Sequence, residues 1–139
     1  MRYPHKGIVV DTGAFISDEC GRFDLWGWML GDPPVSYVMS SITAAELLAG
    51  VEHAEGTPYF PKQWQTVEDY LATFPVLNFD LACARRWAPL SAELGKRGLP
   101  IGPHDLLIAA TALVHGYAVA TFNVREFSRV PGLSVTALG

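Results

Sequence analysis

Ile8-Val9-Val10 is a run of β-branched residues that passes straight into Asp11-Thr12-Gly13. An apolar run without polar alternation belongs to a strand buried on both faces, and such strands sit in parallel sheets covered by helices. The same unit recurs along the chain. Tyr37-Val38-Met39, Val76-Leu77, residues 117–121 and the surroundings of Val135 read as further short strands. Between them, residues 22–30, 41–50, 61–74, 81–97 and 103–115 carry helical spacing. Asp11-Thr12-Gly13 reads as a turn, Gly31-Asp32-Pro33-Pro34 as a break, residues 98–102 as a loop, and Gly56-Thr57-Pro58 as the centre of a longer loop. Pro89 is expected to kink or split its helix, whereas Pro103 suits a first helical turn. Strands alternating with helices predict an α/β fold with a central parallel sheet.

At 139 residues the chain is expected to form one domain, residues 1–139. Half of it is hydrophobic and 17% is charged, which excludes a disordered chain. The net charge of -4 excludes a broad basic face of the kind that grips nucleic acid. A nucleic-acid role must therefore use a local patch, metal ions or a partner's charge. Cys20 and Cys83 have no metal-type spacing and are expected as reduced thiols. The apolar run after Lys6 is too short for a signal peptide, and residues 106–114 are too short to span a bilayer, so a soluble cytoplasmic protein is expected.

In open α/β sheets, ligands collect at the carboxyl ends of the strands. Asp11 follows the first strand, Glu46 is expected in the first turn of the helix after the second, Asp105 opens the helix at Pro103, and Asn123 lies two residues past the fourth strand. Each has a plain structural reading: Thr43-Ala44-Ala45-Glu46 matches a capping box, Asp105 complements a helix dipole, and Asp11 and Asn123 suit turns. Jointly they say more. No lysine or arginine lies within four positions of Asp11, Glu46 or Asp105. Carboxylates gathered without cations repel one another, and a hard divalent ion such as magnesium or manganese relieves that repulsion.

The same residues carry a resemblance. Val9-Val10-Asp11-Thr12, residues 43–50, residues 99–110 and Ala120-Thr121-Phe122-Asn123-Val124-Arg125-Glu126-Phe127 resemble, in order and spacing, PIN-domain proteins, and more closely VapC-type toxin ribonucleases. The resemblance implies a three-layer α/β/α fold and a metal-dependent endoribonuclease that hydrolyses RNA phosphodiester bonds as the toxin of a toxin–antitoxin pair. It further implies Asp11, Glu46 and Asp105 as metal ligands for Mg2+ or Mn2+, with Asn123 in the fourth catalytic position. Asparagine is a weaker, neutral ligand, so one resting metal is expected. A cognate antitoxin is the implied partner, and a homodimer is expected because doubling basic strips helps an acidic chain hold RNA. The alternative is a non-catalytic PIN-like module that binds RNA or protein.

Rival chemistries lack their residues. Thr12 and Ser17 have no neighbouring histidine base, and no glycine-rich phosphate loop or receiver-type late lysine is present. His104 reads as a surface histidine, because neighbours on a helix point apart, with phosphate contact as the alternative. Arg85, Arg86, Lys96, Arg97, Arg125 and Arg129 read as a solvated face, with phosphate contact as the alternative. Trp26, Trp28, Trp64 and Trp87 read as core or interface.

Overall fold

Five strands form one sheet in the order β3-β2-β1-β4-β5, and every neighbouring pair is parallel. The computed structural model describes residues 5–30 and 35–139. Along the chain the elements are β1 (Gly7–Val10), α1 (Thr12–Glu19), α2 (Leu25–Leu30), β2 (Ser36–Ser40), α3 (Ser41–Ala54) and α4 (Phe60–Thr73). There follow β3 (Val76–Leu77), α5 (Leu81–Lys96), α6 (Pro103–His115), β4 (Ala118–Thr121), α7 (Val124–Phe127) and β5 (Val135–Ala137).

The pleat sorts the apolar run of β1 onto both faces. Ile8 and Val10 join Met39, Ala118 and Ala120 against α1 to α4. Val9 joins Val38 and Val119 against α5 to α7. This is the three-layer α/β/α arrangement, with the sheet buried on both sides. Gly7 is needed where β1 meets β2, since a Cβ there would stand 2.4 Å from the Ser36 carbonyl oxygen. On the α1–α4 side, the buried Tyr70 hydroxyl donates to Asp18 at 2.5 Å and ties α4 to α1.

Several local expectations are corrected. Asp11-Thr12-Gly13 is not a free turn but the start of α1, with Asp11 as its N-cap. The aromatic helix is shorter than residues 22–30 and begins at Leu25. α3 continues past Gly50 to Ala54, and Gly56-Thr57-Pro58 lies in the brief connection to α4 rather than in a long loop. α5 runs unsplit through Pro89. Pro89 and Arg85, whose carbonyl loses its helical donor, are both exposed, so water can take over that bond. α7 was not anticipated. The break at Gly31-Asp32-Pro33-Pro34 lies outside the described residues. Among the described residues no helix is long and apolar enough to cross a membrane, and both cysteines are free, Cys20 exposed and Cys83 buried.

The chain steps from β1 to β2 to β3, then returns past β1 to place β4 and β5 on the other side. The order thus reverses between β1 and β4. In open α/β sheets the crevice beyond the strand ends at such a reversal is where ligands bind.

Candidate active site

Asp11 leaves β1 and Asn123 follows β4, so both sit at the reversal point. Asp11 is buried and doubly held. One oxygen accepts from the Thr12 backbone N–H at 2.8 Å, and the other accepts from the buried Thr121 hydroxyl at 2.7 Å. Burial pushes its carboxyl up to about 6, against the lowering effect of these hydrogen bonds and helped by the charges of Asp105 and Glu46. The interaction with both other acids places all three in one electrostatic neighbourhood.

Glu46 reaches the same neighbourhood from the second turn of α3, not the first. The capping-box reading of Thr43 and Glu46 fails. Ser40 is the N-cap, accepting from the Ile42 and Thr43 N–H groups. Glu46 is therefore free to turn outward from its own helix, and its Oε1 accepts from the Thr12 hydroxyl at 2.8 Å. The Thr12 hydroxyl lies 2.9 Å from that of buried Thr43, and since Thr12 donates to Glu46, Thr43 donates to Thr12. Glu46 Oε2 lies 3.3 Å from His104 Nδ1.

Asp105 stands in the first turn of α6, where burial, then the charges of Glu126 and Glu46, hold its carboxyl above the usual range against a hydrogen bond from Asn123 and the proximity of His104. The Asn123 amide donates to Asp105 at 3.4 Å and to Glu126 at 2.5 Å. Asn123 thus bridges two carboxylates, and its backbone N–H donates to the Thr121 hydroxyl that also holds Asp11.

All four anticipated residues meet at one pole, and two more join them. Glu126 adds a carboxylate from α7, three residues past Asn123. Its signal was present as an i, i+3 pair, but only a helix at that point makes the spacing meaningful. His104 is exposed, yet it is not a bystander: it faces Glu46 while its neighbour Asp105 faces Asn123. Arg97 pairs with Glu93, Arg129 donates to the Pro100 carbonyl, and Trp26 and Trp28 pack on Tyr70, Phe74 and Tyr37.

Apart from the His104 ring, the donor set at this pole is hard oxygen: carboxylates, hydroxyls and one amide. Among the described residues, no lysine or arginine lies within 4.0 Å of these acids. Such a set fits magnesium or manganese. As the side chains stand, no three acidic, histidine or cysteine groups among the described residues close around a common point. Asp11, Glu46 and Asp105 each accept from protein donors instead.

A family model described as PIN domain matches residues 8–133. The chain is 34% identical over 129 residues to ribonuclease VapC1 of Rickettsia felis, covering 93% of this chain and 94% of the relative. It is 36% identical over 97 residues to the tRNA(fMet)-specific endonuclease VapC of Salmonella typhimurium, covering 70% and 71%. The crystal structure of VapBC2 from Rickettsia felis bound to a DNA fragment from its promoter superposes with a TM-score of 0.84 at 25% identity, over 95% of this chain and 98% of that one.

Proposed function

The chain belongs to the PIN-domain family, and from that premise we propose that it is a metal-dependent endoribonuclease, the toxin of a toxin–antitoxin pair, hydrolysing RNA phosphodiester bonds. The observation that carries the reading is the meeting of Asp11, Glu46 and Asp105 where the strand order reverses, with Asp11 buried and its carboxyl pushed up to about 6. A structural role alone does not call for like charges gathered in a half-dry crevice.

Asp11, Glu46 and Asp105 are the residues that would hold Mg2+ or Mn2+. A divalent ion bound there supplies hydroxide near neutral pH and neutralises charge on phosphoryl oxygens. The chain's own residues do the rest. Thr121 and the Thr12 N–H fix the plane of the Asp11 carboxylate, and the Thr12 hydroxyl aims Glu46 across the crevice. Asn123 bridges Asp105 and Glu126 with its amide N–H groups and so holds the fourth corner. With a net charge of -4, the chain would rely on such an ion to offset its repulsion of RNA.

The relatives solved as VapBC complexes support a cognate antitoxin, which we place over the acidic pole. A homodimer and a cytoplasmic location complete the proposal. The test is cleavage of total RNA with magnesium or manganese and with chelator. Metal-dependent cleavage that chelation stops is expected. Cleavage that persists in chelator contradicts the metal role, and no cleavage under any metal leaves the binding-module alternative.

A further inference from the structure

His104 occupies the second position of α6, between Pro103 and Asp105, and its side chain is 62% exposed. Exposed histidines on helices ordinarily meet only water. This one lies with Nδ1 3.3 Å from Oε2 of Glu46, on a different helix and 32% exposed. The other Glu46 oxygen is already held by Thr12 from the start of α1. One Glu46 oxygen thus accepts from a hydroxyl while the other has an imidazole nitrogen 3.3 Å away on a separate element, and each oxygen keeps a further lone pair. Carboxylates that ligate metals are commonly oriented by such outer hydrogen bonds, and losing one weakens metal affinity or activity by about 10–100-fold. Apo sites often hold these bonds long and tighten them on binding.

We propose that His104 is a positioning residue for Glu46: its Nδ1–H steadies the Glu46 carboxylate from the α6 side, opposite Thr12, so that Glu46 meets the ion with its orientation already set. The inference rests on the proposed function, in which Glu46 belongs to the metal site. A neutral ring with its proton on Nδ1 suffices, so protonation of His104 is not required. The proposal separates His104 from a phosphate-binding residue, which would contact the RNA rather than the carboxylate.

The test uses the full chain, with His104→Ala, His104→Asn and Glu46→Gln, each checked for folding by circular dichroism. Manganese affinity is read from metal-induced shifts in melting temperature, and cleavage from kcat and KM on one RNA. His104→Ala is expected to weaken manganese binding and kcat by about 10-fold or more, with KM nearly unchanged. Asn carries an amide N–H near the place of Nδ1, so His104→Asn is expected to recover most of the loss. In the Glu46→Gln background, His104→Ala is expected to add little, because the two act through one carboxylate. Unchanged manganese affinity in His104→Ala, a rise in KM alone, or full additivity with Glu46→Gln would each overturn the inference. Glu46→Gln by itself separates the two levels. If it leaves metal binding and cleavage intact, the assignment of Glu46 falls; if it is impaired while His104→Ala is not, only the role of His104 falls.

Discussion

The two halves of the acidic pole are held in different ways. On the α1–α3 side, Asp11 and Glu46 accept from a backbone N–H and from hydroxyls of buried Thr12 and Thr121, all at 2.7–2.8 Å. On the α6–α7 side, Asp105 and Glu126 share the single amide of Asn123, at 3.4 and 2.5 Å. Short bonds from buried, rotamer-restricted threonines fix a carboxylate before any ion arrives, at the cost of charge concentrated in a dry place. One amide shared by two acids leaves the second half able to turn. Preorganisation thus belongs to Asp11 and Glu46 and adjustment to Asp105, which under the proposed function is how a pole that is not closed as it stands would close on an ion.

The sharpest way to break this contrast is to remove its ligands. Asp11→Asn and Asp105→Asn are each expected to lower RNA cleavage by more than about 100-fold, beyond what outer-sphere substitutions cost, with the fold retained by circular dichroism. A mutant that keeps parental cleavage removes that residue from the site. Next comes the support. Thr12→Val deletes the donor to Glu46 and leaves the Thr43 hydroxyl without its acceptor, so it should cost about 1–3 kcal/mol in denaturant melts as well as about 10–100-fold in cleavage. Asn123→Ala, on the adjustable side, should cost less stability than Thr12→Val. Equal losses would erase the distinction between the halves.

How far these halves were legible in the sequence differs for physical reasons. α6 could be read at both ends, because Pro103 fits a first turn and Gly116 closes the helix at φ 73°, a left-handed geometry that favours glycine. α1 was hidden behind Thr12-Gly13, which looks like a turn when Asp11 is not seen to be a cap. Asp11 and Asp105 were legible because one directly follows a strand and the other opens a helix, and Glu46 because it lies on the helix that follows β2. Their partners were not, since Thr12–Glu46 and Thr121–Asp11 join residues 34 and 110 positions apart, and no local pattern encodes such pairs. The capping-box motif misled because Ser40 had already capped α3 three residues earlier. His104 and Asp105 do diverge as helical neighbours should, but the pole is broad enough to meet both, through α3 on one side and α7 on the other.

Titration sharpens the electrostatic side of the comparison. In chelator, the Asp11 carboxyl titrates near 6 in the folded protein against 3.8 for the ordinary group. The folded state therefore binds this proton more tightly than the unfolded chain. The stability this contributes is full below pH ~4 and is lost as pH rises to ~6, on the order of 3 kcal/mol across that window. Urea melts of chelated protein should show the decline, and Asp11→Asn should flatten it. A parent whose stability rises over that window would contradict the buried, repelled carboxyl. Smallest of all, Glu126→Gln removes one charge beside Asp105 and should raise the stability of the chelated protein by under about 1 kcal/mol, read as a small increase in Tm. A clear loss would mean that Glu126 holds α7 in place rather than crowding Asp105.

Manganese titration followed by thermal melting tests directly whether this pole is a cation site. An ion that binds only the folded state stabilises it by RT ln(1 + [L]/Kd), about 2.7 kcal/mol at one hundred times Kd. The chelated parent should melt progressively higher as manganese is added. Asp11→Asn should start as stable as the chelated parent or more so, and should gain far less. A parent with no shift at millimolar manganese, or an Asp11→Asn variant that shifts as far as the parent, would contradict the assignment of these carboxylates to a divalent ion.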